Sequence, residues 1–224
     1  MFKDSRVIIT GVSSFLGDML ARAYLKQGAH VIGIDKNDSR LETEKYHFVK
    51  YDFANDDSAE LICDAVRLHF DGTLDILVNV LHMQESSELQ TVTCREFKEY
   101  FTESLYTLIE MNRKLYPMLL KSEQGNPSVI NIGSASSRNN TMNSGLECLC
   151  AQAVIGLTRM QAGYYDGVRF NSISPIWPQD LENCQDIINA VLFLCSNDAS
   201  FITGSDFLLD YGETAKNAAR LEPK

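Results

Sequence analysis

The sequence predicts an α/β domain over residues 1–224, built on a doubly wound parallel sheet of about seven strands with helices on both faces. Three observations predict it. Apolar, β-branched runs alternate with amphipathic helical stretches from one end to the other, the order expected of strand–helix–strand units. Those runs are apolar at nearly every position, so each strand needs cover on both faces. A glycine turn follows the first run and opens a helix, and right-handed crossovers then wind the chain into a Rossmann-type sheet.

The elements follow in order. RVIIT (6–10) is the first strand, and TGVSSFLGDMLARAYLKQG (10–28) supplies the turn and first helix. HVIGID (30–35) and HFVKYDF (47–53) are the next two strands. Asp57 with Glu60 has capping-box spacing and starts a second helix before LDILVNV (74–80). Thr93 with Glu96 repeats that spacing. From Cys94 to about Lys121, Phe97, Phe101, Leu105, Leu108, Met111, Leu115 and Met118 recur every three or four residues. That period predicts one long helix or two nearly continuous ones. SVINIGS (128–134) is a strand, and Leu146, Leu149, Cys150, Ala153, Leu157 and Met160 mark the next helical stripe. VRFNSISP (168–175), the helix around INAVLFL (188–194) and DFLLD (206–210) complete the sheet, ahead of a polar tail at 216–224.

Composition excludes several functions. The balance of 20 Lys+Arg against 30 Asp+Glu gives a net charge of −10, which repels nucleic acid and anionic lipid. No apolar run is long enough to span a membrane, and the first residues lack a signal-peptide layout, so a cytoplasmic protein is expected. The six cysteines show no CxxC pair and no metal-ligand spacing with histidine, so reduced, buried thiols and no metal site are expected. Cys148 and Cys150 lie about 200° apart on a helix and cannot form a joint site.

The turn Thr10–Gly17, the Asn79 that ends the fourth strand, VINIGS and AVIGLTR (153–159) together resemble the short-chain dehydrogenase/reductase family, from about Arg6 to Lys216. The resemblance implies an NAD-type cofactor and a catalytic Tyr-x-x-x-Lys. It assigns the cofactor positions to Gly11, Ser13, Phe15, Gly17, Asp35, Asp52 and Asn79. Phe15 stands where that family has a glycine, so its benzyl group is expected to crowd or fill the pyrophosphate site. Val80, Leu81 and His82 replace the family's small residues after Asn79. Registered on AVIGLT, the tyrosine position is Glu147 and the lysine position Ala151. The substrate-orienting serine falls on Ser134 and the structural asparagine on Ser104. Ile176 replaces a glycine after SISP, and the chain enters the next helix with the family's substrate lid essentially deleted.

The resemblance therefore implies a member whose catalytic positions Ser104, Ser134, Glu147 and Ala151 no longer function, with only weak or vestigial NAD binding. Its implied role is that of a partner to an active paralogue in a hetero-oligomer, a dimer or tetramer. Heteromers oxidising hydroxyacyl-CoA intermediates in anaerobic aromatic breakdown, such as the benzylsuccinate route, are one such case within the family. Two other readings stand beside it. Ser134, His82 and Glu147 could form a rebuilt nucleophilic site, or the residual cofactor positions could make a nucleotide-sensing subunit.

Overall fold

The computed structural model describes residues 1–52, 59–81, 90–138, 145–176 and 181–219. Its strands are β1 (Arg6–Thr10), β2 (His30–Asp35), β3 (Tyr46–Lys50), β4 (Ile76–Val80), β5 (Ser128–Ile132), β6 (Arg169–Pro175) and β7 (Asp206–Leu209). All pair in parallel in one sheet of order β3-β2-β1-β4-β5-β6-β7. The doubly wound α/β architecture is thus as expected. The winding reverses between β1 and β4, where a crevice opens at the C-terminal strand ends.

The helices are α1 (Phe15–Lys26), α2 (Ala59–Phe70), α3 (Cys94–Phe101), α4 (Thr107–Leu119), α5 (Gly145–Tyr164), α6 (Leu181–Cys195) and α7 (Glu213–Ala219). Strand side chains alternate between the two faces. On one face Val7, Ile9, Val31, Val78 and Ile130 pack against Leu20 of α1 and Val191 of α6. On the other, Ile8, Ile32, Leu77, Val129 and Phe170 pack against Val66 of α2 and Met111 and Leu115 of α4. Each such side chain, fully buried, contributes about 1.5–3 kcal/mol of transfer free energy. β6 ends at Pro175 and α6 begins at Leu181, which matches the short link expected in place of a lid; residues 177–180 lie outside the described residues.

One helical expectation is met, with a detail added, and one is revised. The stretch from Cys94 is two α segments joined by a π-helical turn, Thr102–Tyr106. Side chains take up carbonyls at this widened turn: Ser104 Oγ donates to Tyr100 O at 2.5 Å and Thr107 Oγ1 to Thr102 O at 3.2 Å. Before the turn, α3 buries no residue, and Phe97 and Phe101 stack on each other with centroids 4.5 Å apart. In α5 the inward face is Leu146, Cys150, Ala151, Val154 and Thr158, while Leu149 and Met160 point outward. The broad apolar composition of α5 hid which stripe faces the sheet.

The capping box at Thr93 forms in full: its Oγ1 accepts from Glu96 N at 3.2 Å, and Glu96 Oε2 accepts from Thr93 N at 2.8 Å. Asp57 lies outside the described residues. All six cysteines are free; Cys94 is exposed and the other five are buried, so the expectation of burial fails at Cys94, on the outer surface of α3. No helix among the described residues is long and apolar enough to cross a membrane.

Candidate functional site

The crevice is built by backbone first. Thr10 Oγ1 accepts from Val80 N at 3.1 Å, tying the ends of β1 and β4 together. Gly11 turns the chain there at φ +69°, and a Cβ on it would meet Val80 O at 2.6 Å. Ser14 caps α1, accepting from Gly17 N at 3.1 Å and donating to Gly11 O at 2.6 Å. A Cβ on Gly17 would overlap the Gly11 carbonyl oxygen. Both glycines are therefore required by the turn itself, whether or not a cofactor binds.

Above this turn lies a cavity of about 320 Å³, walled by Gly11, Ser13, Ser14, Asp35, Lys36, Asn37, Asp52, Val80, Leu81, Glu103 and Thr107. Asp35 is only 7% exposed. Its Oδ2 accepts from Ser13 N and its Oδ1 from Asn37 N, both at 2.9 Å. Each oxygen keeps a lone pair with which to accept a ribose hydroxyl. Asp35, Asp52 and Glu103 outnumber Lys36 on the walls, so the cavity suits a nucleoside better than an added phosphate. The structure thus brings Gly11, Ser13, Asp35 and Asp52 to one cavity, with Gly17 packed beneath it. Lys36, Asn37, Glu103 and Thr107 were not singled out from the sequence; their signal was position, just after β2 for the first two, on the π turn for Glu103 and at the start of α4 for Thr107.

Two assigned cofactor positions do not line this cavity. Phe15 does not line the cavity: it is the first residue of α1, 47% exposed, and borders an adjoining groove that shares Ser13, Ser14 and Asn37 with the cavity and adds Asp18, Arg22 and Arg40. The turn directs its Cβ outward. Asn79 does not reach the cavity either, because strand alternation places it on the α4/α5 face. There its Nδ2 donates to Asn131 Oδ1 at 2.9 Å and to Asn112 Oδ1 at 3.2 Å, while its own Oδ1 is buried and has no partner among the described residues. Asn112 continues to Gln161 (2.9 Å) and Asn131 to Thr158 (3.0 Å). This buried polar network joins the sheet to α4 and α5.

The catalytic positions cluster at the end of β5 and along α5. Ser134, 4% exposed, caps a short 3₁₀ turn (Ala135–Ser137) and donates to Glu147 Oε1 at 2.8 Å. Ser136 Oγ lies 2.8 Å from Ser134 Oγ. So two residues of the rebuilt-site reading do touch, while His82 lies outside the described residues. Ala151 is fully buried and offers only a methyl group. Ser104, 4% exposed on the π turn, accepts from Cys150 Sγ at 2.9 Å. Burial pushes the Cys150 thiol up to about 11, with Glu147 adding to the rise and the Ser104 hydrogen bond opposing it. Tyr100 enters the same corner from α3: burial, then Cys150, Glu147 and Cys148, hold its phenol well above the ordinary range. Such a phenol can donate a hydrogen bond but gives up its proton reluctantly. Tyr164 closes α5 and Tyr165 follows it; Tyr165 turns to Tyr116 and Phe170, away from this corner.

A sequence profile of the short chain dehydrogenase family matches residues 5–177. Among curated proteins, the chain is 24% identical over 247 aligned positions to the meso-2,3-butanediol dehydrogenase of Serratia marcescens, covering 96% of this chain and 97% of that one. Since the chain has 224 residues, at least 247 − 224 = 23 of those positions are gaps in it. Among solved structures, the ligand-free aldohexose dehydrogenase of Thermoplasma acidophilum superposes with a TM-score of 0.85 at 24% identity, covering 100% of this chain and 98% of that one. A 4-hydroxyisoleucine dehydrogenase complexed with NADH and succinate gives 0.82 at 26% identity, covering 93% and 99%.

Proposed function

Because the chain belongs to the short chain dehydrogenase family, we propose that it is a non-catalytic member, which supports or regulates an active NAD-dependent paralogue in a hetero-oligomer. One observation carries the reading: Glu147 accepts a 2.8 Å hydrogen bond from Ser134 beside the fully buried Ala151. Where the family resemblance calls for a tyrosine and an activating lysine, this chain has a carboxylate already engaged and a methyl group. A carboxylate there opposes the alkoxide that carbonyl reduction would form, and alanine cannot lower any neighbour's pKa.

Apolar surface supports partnership. Phe97, Tyr106, Ile109, Leu149 and Met160 on α3 to α5, and Phe193 and Phe201 around α6, remain more than 40% exposed. Side chains of that kind are usual at the centre of a subunit interface. A dimer or tetramer with an active paralogue would cover them, and oxidation of a hydroxyacyl-CoA is one reaction such a partner could perform.

A second reading, nucleotide sensing, is favoured by the cavity. With Phe15 directed outward, Asp35 would accept an adenosine ribose hydroxyl and Asp52 would meet the adenine, both lining the cavity, and NAD, when bound, would supply the hydride chemistry of the family. The neighbour solved with NADH lends this reading weight. Weak NAD binding without turnover is its content.

Purification from the native host followed by native mass spectrometry tests the main reading. A complex containing a second family chain with an intact Tyr-x-x-x-Lys is the expected result. A homomer that turns over substrate, and loses turnover on Glu147→Gln or Ser134→Ala, overturns it in favour of the rebuilt site. For sensing, NADH fluorescence titration should saturate below millimolar concentration; a flat titration removes that reading.

A further inference from the structure

The cavity above the α1 turn carries a balance of charge that a dinucleotide would meet along its whole length. Asp35 ends β2, Asp52 lies just beyond β3, and Glu103 stands on the π turn, so three carboxylates share about 320 Å³. Among the described residues Lys36 is the single basic side chain on these walls, and it is exposed. The net charge of −10 adds to the same field. A helix start ordinarily favours a phosphate through its unpaired amides and the positive end of its dipole. Here three amides of the turn are engaged within the protein: Ser13 N donates to Asp35 Oδ2 (2.9 Å), Ser14 N to Gly11 O (3.1 Å) and Gly17 N to Ser14 Oγ (3.1 Å). Asp18, in the first turn of α1, already complements the dipole. The arginines of the adjoining groove do not line the cavity: Arg22 is held by Asp18 at 2.7 Å, and Arg40 shares the groove with Asp38.

Given nucleotide sensing, on which this step rests, we infer that the cavity takes an uncharged nucleoside such as adenosine in preference to a nucleotide or dinucleotide. Ribose hydroxyls and a base amino group are donors, and the walls are rich in acceptors. Asp35 keeps a lone pair on each oxygen for the hydroxyls, and Asp52 offers a carboxylate to the amino group. Val80 and Leu81 supply apolar wall for the base. A phosphate brings acceptors and the same sign of charge as the walls, so each one added exchanges attraction for repulsion. The volume agrees, since about 320 Å³ lies at the small end of the roughly 300–1,000 Å³ range of ligand pockets. The residues present thus fit the adenosine half of the cofactor that the family resemblance implies and oppose its pyrophosphate.

Calorimetric titration of the intact chain with adenosine, AMP and NADH, at low and at high salt, is the test. Adenosine should bind at least about tenfold more tightly than AMP or NADH, the scale of like-charge opposition in a partly enclosed site. Raising the salt from about 0.05 to 0.5 M screens the carboxylates, so AMP should bind more tightly while adenosine binding stays the same. That sign is the reverse of ordinary phosphate recognition, which salt weakens. Glu103→Gln, at an exposed position, should move the ratio of AMP to adenosine affinity about fivefold toward AMP, the upper end for an exposed charge pair. AMP or NADH binding as tightly as adenosine, AMP binding weakened by salt, or a ratio unmoved by Glu103→Gln would each overturn the inference and leave nucleotide sensing standing. Flat titrations with adenosine, AMP and NADH alike would remove both.

Discussion

Replacing Asn79 with leucine separates a framework role from a cofactor role. The two side chains are close in size, so the change removes polarity with little change in volume. Asn112 Oδ1 and Asn131 Oδ1 then lose the donor they share at 3.2 and 2.9 Å. Each stranded buried acceptor costs about 1–3 kcal/mol. Asn79 Oδ1, itself buried without a partner among the described residues, disappears with the change, which recovers a cost of the same size. The net loss is therefore about 1–3 kcal/mol. For a chain of 224 residues this corresponds to a fall in Tm of roughly 2–12 °C. Urea denaturation should show a lower midpoint with an unchanged slope, because the fold and its buried surface are retained. NADH or adenosine titration of the same variant should match the parent. Stability within about 0.5 kcal/mol of the parent would refute the reasoning. So would a tenfold loss of nucleotide affinity without loss of stability.

Three other outcomes are expected. Gly17→Ala forces a methyl group against the Gly11 carbonyl and should cost about 1–3 kcal/mol or more, seen as a lower calorimetric Tm whether or not nucleotide is present. Phe15→Gly should change nucleotide affinity by no more than about threefold, since the ring borders the outer groove, and calorimetric titration measures this directly. Acidification should weaken the fold through His47. Its ring stacks on His69 at 3.7 Å, and burial, then His69 and His30, lower its pKa from 6.5. The folded chain consequently binds fewer protons than the unfolded chain just below that value. This contribution to stability is complete above pH 6.5 and is lost as the pH falls through the depressed value. His47→Gln should flatten the urea midpoint against pH between about pH 7 and pH 5.

The sheet was legible because its strands carry their signal at every position: runs such as ILVNV and SVINI have few alternatives to a strand covered on both faces. The glycine turn was equally readable, as Gly11 and Gly17 sit where any side chain would collide with backbone. Phe15 was misplaced because identity at a position does not give direction; the turn decides where the Cβ points. Asn79 was open to a better reading, since it alternates with Val78 and Val80, which are buried on the opposite face. Tyr100 went unnoticed because its approach to Glu147 and Cys150 depends on how α3 is joined to α4. No periodic count across that junction contains this information.

The π turn itself has a consequence for how the α3–α4 segment tolerates change. An ordinary helix advances about 100° per residue, and a single wide turn delays the next residues relative to that count. Thr102–Tyr106 therefore acts as a phase shifter between two amphipathic halves, with Leu108, Met111 and Leu115 locked to the core and Phe97 and Phe101 left outside it. Removing one residue inside the turn would bring the halves back into step, rotating the outer aromatic pair toward the sheet and taking Ser104 out of reach of Cys150. The one-residue surplus is what lets a single continuous helical rod present one apolar side inward and another to the outside.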